Sequence, residues 1–178
     1  MRRWLMAGLG LVVLMGAFAF WAMRDSSQSF AGGYGMRVDR QVGRPMWTSL
    51  AEPGRAGAEK VTITDLEPRF GVDEAKVRVQ YLICELDQNQ LEAEGVGGFG
   101  FGGGEAAVER YCSRTRAAAG SEFHLRSNPS EELIVGLTPT RPGRSVIRSF
   151  AIEFDDGWRH GRDAIGVRLR IDAHPRSR

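Results

Sequence analysis

Lysine is almost missing from this sequence. Lys60 and Lys76 are its only two, so arginine carries nearly every positive charge. The arginines are scattered, and the formal net charge of +2 is accounted for by Arg2 and Arg3 alone. Residues 4–178 therefore balance, and no global polycation is present to grip nucleic acid. Signals for catalysis are missing too. There is no G-x-S-x-G elbow, and His124, His160 and His174 lie far apart in sequence, so no enzyme activity and no cofactor are expected. Long helical periodicity is absent after residue 24. Residues 105–116 hold the only candidate, a short helix. No cysteine follows the apolar N-terminal run, which excludes lipid attachment at that point.

What is present begins with residues 4–23, WLMAGLGLVVLMGAFAFWAM, which are 20 residues without a charge. At 1.5 Å per residue such a helix covers about 30 Å of hydrocarbon. Arg2 and Arg3 precede it, and Trp4 and Trp21 sit where indole rings favour the membrane interface. The pattern predicts a signal anchor with residues 1–3 as a cytoplasmic stub and everything from residue 24 outside. A competing reading is a cleaved signal peptide, because Ala17-Phe18-Ala19 has the small-x-small form that signal peptidase accepts. The apolar run continuing through Phe20, Trp21, Ala22 and Met23 argues against cleavage near Ala19, which would make the domain secreted.

Residues 24–35, RDSSQSFAGGYG, read as a flexible tether. Strand signals follow from residue 36 to 173, with residues 174–178 as a tail. Residues 36–42 predict a first strand, and Val61 and Ile63 a second that closes at Pro68. In residues 76–86, Val77, Val79, Tyr81 and Ile83 share one face, while Leu82, Cys84 and Leu86 fall on the other. The far end of that strand is then covered on both sides. Phe123 and Leu125 mark a short strand; Leu133, Val135 and Leu137 mark one ending at Pro139. Arg141-Pro142-Gly143-Arg144 has the composition of a tight turn. Val146, Phe150, Ile152 and Phe154 belong to the next strand, and Ile165, Val167, Leu169 and Ile171 to the last. About seven strands with frequent turns predict an all-β fold, an antiparallel immunoglobulin-like sandwich preceded by one transmembrane helix. An open barrel of the same strands is the alternative. No tryptophan lies between the two cysteines, as antibody domains would have.

The order of these features resembles that of bacterial single-span membrane proteins with an exported immunoglobulin-like β-sandwich domain. The features are the apolar anchor, a strand closing in Leu66-Glu67-Pro68, a long strand ending in Cys84 and a glycine-containing loop to Cys112. An Arg-Pro-Gly turn and a Gly157-x-Arg159-x-Gly161 hairpin complete them. The resemblance covers residues 4–172 and rests on spacing. It implies location and architecture and brings no catalytic residues.

Cys84 and Cys112, an even count in an exported domain, favour a disulfide over metal binding. Free thiols or pairing with another chain are the alternatives. Within the loop between them, residues 95–100 satisfy G-x-G-x-x-G, but no βαβ context surrounds them and no Gly-Lys-Ser/Thr follows, so no nucleotide site is expected. Phe99 and Phe101 on this tract are a candidate interaction loop. Exposed, they would meet a partner or the bilayer surface; otherwise they fold back onto the sandwich. Asp155, Asp156 and Asp163, beside His160, are weak calcium candidates whose spacing matches no EF-hand. Trp158 on the same hairpin reads as a cap over the core edge. Arginines 141, 144, 148, 159, 162, 168 and 170 read as a solvated surface that discourages edge pairing. The sequence thus predicts an exported, membrane-anchored module with a structural or protein-interaction role. Its partners are the membrane, through residues 4–23, and a protein or envelope component. An extracytoplasmic ligand or calcium sensor is the alternative.

Overall fold

A computed structural model describes residues 30, 34–51, 59–100, 103–125, 130–157 and 159–176. The predicted span at residues 4–23 lies outside them, and among the described residues no helix is long and apolar enough to cross a membrane. Ten strands and two short helices are described, and the strands form two sheets.

The first sheet has the order β1 (Gly35–Gln41), β10 (Arg168–His174), β8 (Gly143–Asp155), β3 (Lys60–Asp73), β6 (Glu122–His124), with β9 (His160–Ile165) also on β8. Its pairs are antiparallel except β1 with β10, which run parallel. The second sheet is antiparallel throughout, in the order β2 (Met46–Ala51), β7 (Glu131–Pro139), β4 (Val77–Leu86), β5 (Cys112–Ala117).

Alternation decides how the sheets meet. Val77 and Ile83 of β4 and Leu133, Val135 and Leu137 of β7 turn inward. Opposite them stand Ile147, Phe150, Ile152 and Phe154 of β8 and Leu169 and Ile171 of β10. Together they make one core of close-packed apolar side chains, the usual consequence of a period-2 pattern on two facing sheets. Tyr81 of β4 meets Phe150 of β8 edge to face across the gap, with ring centroids 6.1 Å apart. Burial pushes the Tyr81 phenol above its ordinary pKa, and Asp65 and Glu67 add to the effect. At one side Glu131, almost fully buried, ties the sheets together. It accepts from Arg116 of β5 at 2.7 Å and from the His124 backbone N–H of β6 at 2.9 Å.

Four expectations need correction. The strand count exceeds seven, because β2, β5 and β9 are further strands and the predicted last strand is broken at Gly166 and Val167. There the Val167 N–H turns back to the Ile165 carbonyl at 2.9 Å, so β9 serves the C-terminal half of β8 and β10 the N-terminal half. Pro68 does not end its strand; β3 runs on to Asp73. Beyond Thr62, β6 no longer flanks β3, so a residue without an N–H needs only to face that open edge. The stretch read as a tether also reaches into the fold. Phe30 is buried against Phe123 and Phe154, and its N–H donates to Asp163 at 2.9 Å. Tyr34 packs on the core, and its hydroxyl donates to the Ser49 carbonyl and shares a hydrogen bond with Thr48.

Candidate functional site

The second sheet is covered on its outer face as well, by the chain between Cys84 and Cys112. Helix α1 (Gln88–Glu94) starts at Asp87, whose carboxylate accepts from the Gln90 N–H at 3.1 Å, and stops at Gly95 in the left-handed region. Those are the ordinary N-cap and C-cap signals. Helix α2 (Glu105–Tyr111) falls in the segment where a short helix was expected, after which Cys112 opens β5. Glu94 joins the two helices. It accepts from the Tyr111 hydroxyl at 2.7 Å and from Arg110 and Gln90, and the Tyr111 bond above all holds its carboxyl below the usual range.

Beneath this lid Trp47, Cys84, Leu86, Leu91, Phe99 and Ile134 form a second apolar cluster. The Cys84–Cys112 disulfide is present, with Cα atoms 5.3 Å apart. It does not link the two sheets as a sandwich staple would. Cys84 and Cys112 lie on neighbouring strands of one sheet, so the bond closes the base of the lid. Phe99 is buried and meets Tyr111 edge to face at 6.4 Å, the folded-back alternative for that ring. Phe101, the other residue of the candidate interaction loop, and Trp158 lie outside the described residues.

Three backbone contacts seat the glycine tract. The Trp47 N–H donates to the Gly103 carbonyl at 2.7 Å, and the Ser49 N–H to the Gly100 carbonyl at 3.2 Å. The Phe99 N–H donates to the carboxylate of Glu132, itself almost fully buried, at 3.3 Å. Since β2 is an edge strand, the tract occupies hydrogen-bonding positions that an open edge would leave to another chain. A Cβ at Gly98 would lie 2.2 Å from the Glu132 carboxylate, so a side chain there would push that carboxylate aside. Between the tract and α2 runs an open groove of about 580 Å³, walled by Ser49, Val96, Gly98, Phe99 and Tyr111 with Glu132 beside them. Its walls are largely apolar and aromatic, with Ser49 and one carboxylate among them, a surface suited to a side chain or short segment of a partner.

Sequence reasoning missed two parts of this site. Trp47 lies flat over Gly136, and its indole N–H has no hydrogen-bond partner among the described residues. A Cβ on Gly136 would sit 2.6 Å from the ring. We therefore expect Gly136→Ala to displace the indole at a cost of about 1–3 kcal/mol. Thermal unfolding should show the loss, and a red shift in tryptophan emission the displacement. Glu132 was unremarked because nothing in Glu131-Glu132 signals that two adjacent carboxylates will both be buried, on opposite faces of one strand.

The acidic hairpin residues are engaged separately. Asp155 pairs with His160 at 2.9 Å, Asp156 with Arg159 at 2.9 Å, and Asp163 receives the Phe30 N–H. Among the described residues no three His, Cys, Asp or Glu side chains are grouped as a metal site.

No protein-family model matches the chain, and no curated protein matches it.

Proposed function

We propose that this chain is an exported β-sandwich of immunoglobulin-like topology, tethered to a membrane by residues 4–23, which acts as a structural or protein-interaction module. The observation that carries the reading is the disulfide beneath the lid, since such bonds persist in oxidising compartments outside the cytosol. The charge-free run preceded by two arginines supports the membrane side of it.

Strand order supports the topology. Taking β2, β3, β4, β7 and β8 as strands B to F, and β9 with β10 as G, yields B-E-D in one sheet and C-F-G in the other. That is the constant-type arrangement, with β1 running parallel beside G instead of pairing with B. Strands β5 and β6 are additions at the edges. For the interaction role, the support is the groove along the glycine tract, where a partner would find the exposed backbone of Gly97 and Gly100 and the side chain of Val96 beside half-buried Tyr111.

A photo-crosslinking amino acid at Val96, an exposed groove residue, tests the interaction in intact cells. A discrete protein adduct is expected from position 96 and none from position 141, which lies in the β7–β8 turn. No adduct from 96, or the same adducts from both positions, would overturn the groove as the contact surface.

A further inference from the structure

The scattered arginines of the sequence are gathered by the fold. Arg37 of β1, Arg168 and Arg170 of β10 and Arg144 and Arg148 of β8 share the outer face of the first sheet, and the cross-strand register aligns Arg37, Arg170, Val146 and Val72 in one row. Asp172 accepts from Arg37 at 3.0 Å, Arg144 at 2.9 Å and Arg170 at 3.0 Å, so one carboxylate serves three guanidinium groups. The Arg144 bond above all holds the Asp172 carboxyl down to about 2. The side chains of Arg148 and Arg168 make no hydrogen bond or ion pair among the described residues. A shallow groove of about 460 Å³ runs between Arg37, Arg168 and Arg170 over Val146.

The opposite side carries the other sign. Residues 85–111, which cover the second sheet, hold Glu85, Asp87, Glu92, Glu94, Glu105 and Glu109 against Arg110 alone. The outer face of the first sheet carries Asp39, Asp65, Glu67, Glu153 and Asp172 as well, so its positive excess is local, confined to the cluster of Arg37, Arg144, Arg148, Arg168 and Arg170.

We propose that the arginine face is a docking surface for the phosphate groups of an anionic lipid bilayer, the same membrane that holds the N-terminal segment. The inference rests on the anchored reading above. Only residues 24–29 separate the apolar run from Phe30, which is pinned in the core. Six residues reach about 20 Å at most. From Phe30 the chain leads into β1, the strand that carries Arg37, so the arginine sheet is the one attached to the anchor. Guanidinium groups bind phosphate oxygens bidentately, and Arg148 and Arg168 have that capacity open.

Full-length chain in lipid nanodiscs tests this by arginine modification with phenylglyoxal, mapped by mass spectrometry. Discs of phosphatidylcholine are compared with discs in which about a third is phosphatidylglycerol. Modification of Arg148 and Arg168 should slow by about fivefold in the anionic discs and recover at roughly 0.5 M NaCl. Arg110 and Arg114 should react equally in both. Equal rates at Arg148 and Arg168 in the two lipids, or slowing at all four arginines, would overturn the surface. Equal protection by about 10 mM inorganic phosphate in phosphatidylcholine discs would assign the site to a soluble anion and overturn the lipid. A chain that fails to co-elute with discs of either kind overturns the anchor itself; one that co-elutes with unchanged rates overturns the docking face alone. The variant R148Q/R168Q removes two side chains that have no hydrogen-bond or ion-pair partner among the described residues, so it should fold as before and lose the lipid dependence of a neighbouring reporter, the modification rate of Arg37.

Discussion

Replacing Phe150 by alanine should lower stability by about 3–5 kcal/mol, the largest effect expected of any single substitution here. Phe150 is fully buried, lies in the middle of β8, and meets Tyr81 of the facing sheet edge to face. Its removal opens a cavity where the two sheets touch, and neither sheet can collapse into it without breaking the register of β8 with β3 on one side and β9 on the other. Tyr81 loses its ring partner as well, which adds to the transfer cost. Thermal unfolding should show a fall in Tm of about 10 °C or more. A fall of only a degree or two would mean that the facing sheets are not packed as described.

The second large effect belongs to the disulfide. Removing it in C84A/C112A frees a 29-residue loop, for which the chain-entropy relation gives about 3.5 kcal/mol at 25 °C. The structure also says where the loss is felt. Because the bond closes the base of the lid and does not join the sheets, the main core keeps all its contacts, while Trp47, Leu91, Phe99 and Ile134 lose their cover. Local opening of this kind costs less than global unfolding and is seen by hydrogen exchange. Amides of residues 85–111 should exchange faster in the double variant, and those of β8 and β10 should change only with global stability. Uniform acceleration would contradict the assignment of the bond to the lid.

Much of the fold was legible in the sequence because two-sheet packing imprints itself as alternation. Val77, Val79, Tyr81 and Ile83 on one face of β4, and the alternating apolar residues of β8, were readable for that reason. The burial of Cys84 and Leu86 on the other face of β4 was readable too, since apolar residues stood on both faces there. Strand β2 was not readable. Buried on both sides, its six residues mix Trp47 with Thr48 and Ser49, so no period marks it. Helix α1, at seven residues, is too short to show a 3.6-residue period and is recognisable only from Asp87 and Gly95 at its ends.

The site was less legible than the fold. The glycine tract was noticed for Phe99 and Phe101, but its conformation depends on Glu132, which is 33 residues away, and on the free edge of β2. Nothing local in the sequence joins those parts. The same holds for the arginine face. Arg37 lies 131 residues from Arg168, and only the parallel pairing of β1 with β10 sets them side by side with Arg144 and Arg148. Scattered in the chain, the arginines resembled ordinary surface decoration. Their grouping is a property of topology.

Limited proteolysis of intact spheroplasts tests directly the proposed position of the domain, held outside a membrane by its N-terminus. Arg24 offers trypsin a site between the apolar run and Phe30, while the strands of the sandwich should resist cleavage. Trypsin added outside should release a soluble, disulfide-bonded fragment beginning at Asp25 from a chain that was membrane-bound before digestion. Release only after the membrane has been permeabilised would set the domain on the other side, and a fragment already soluble without trypsin, beginning at Phe20, would show that no anchor remains.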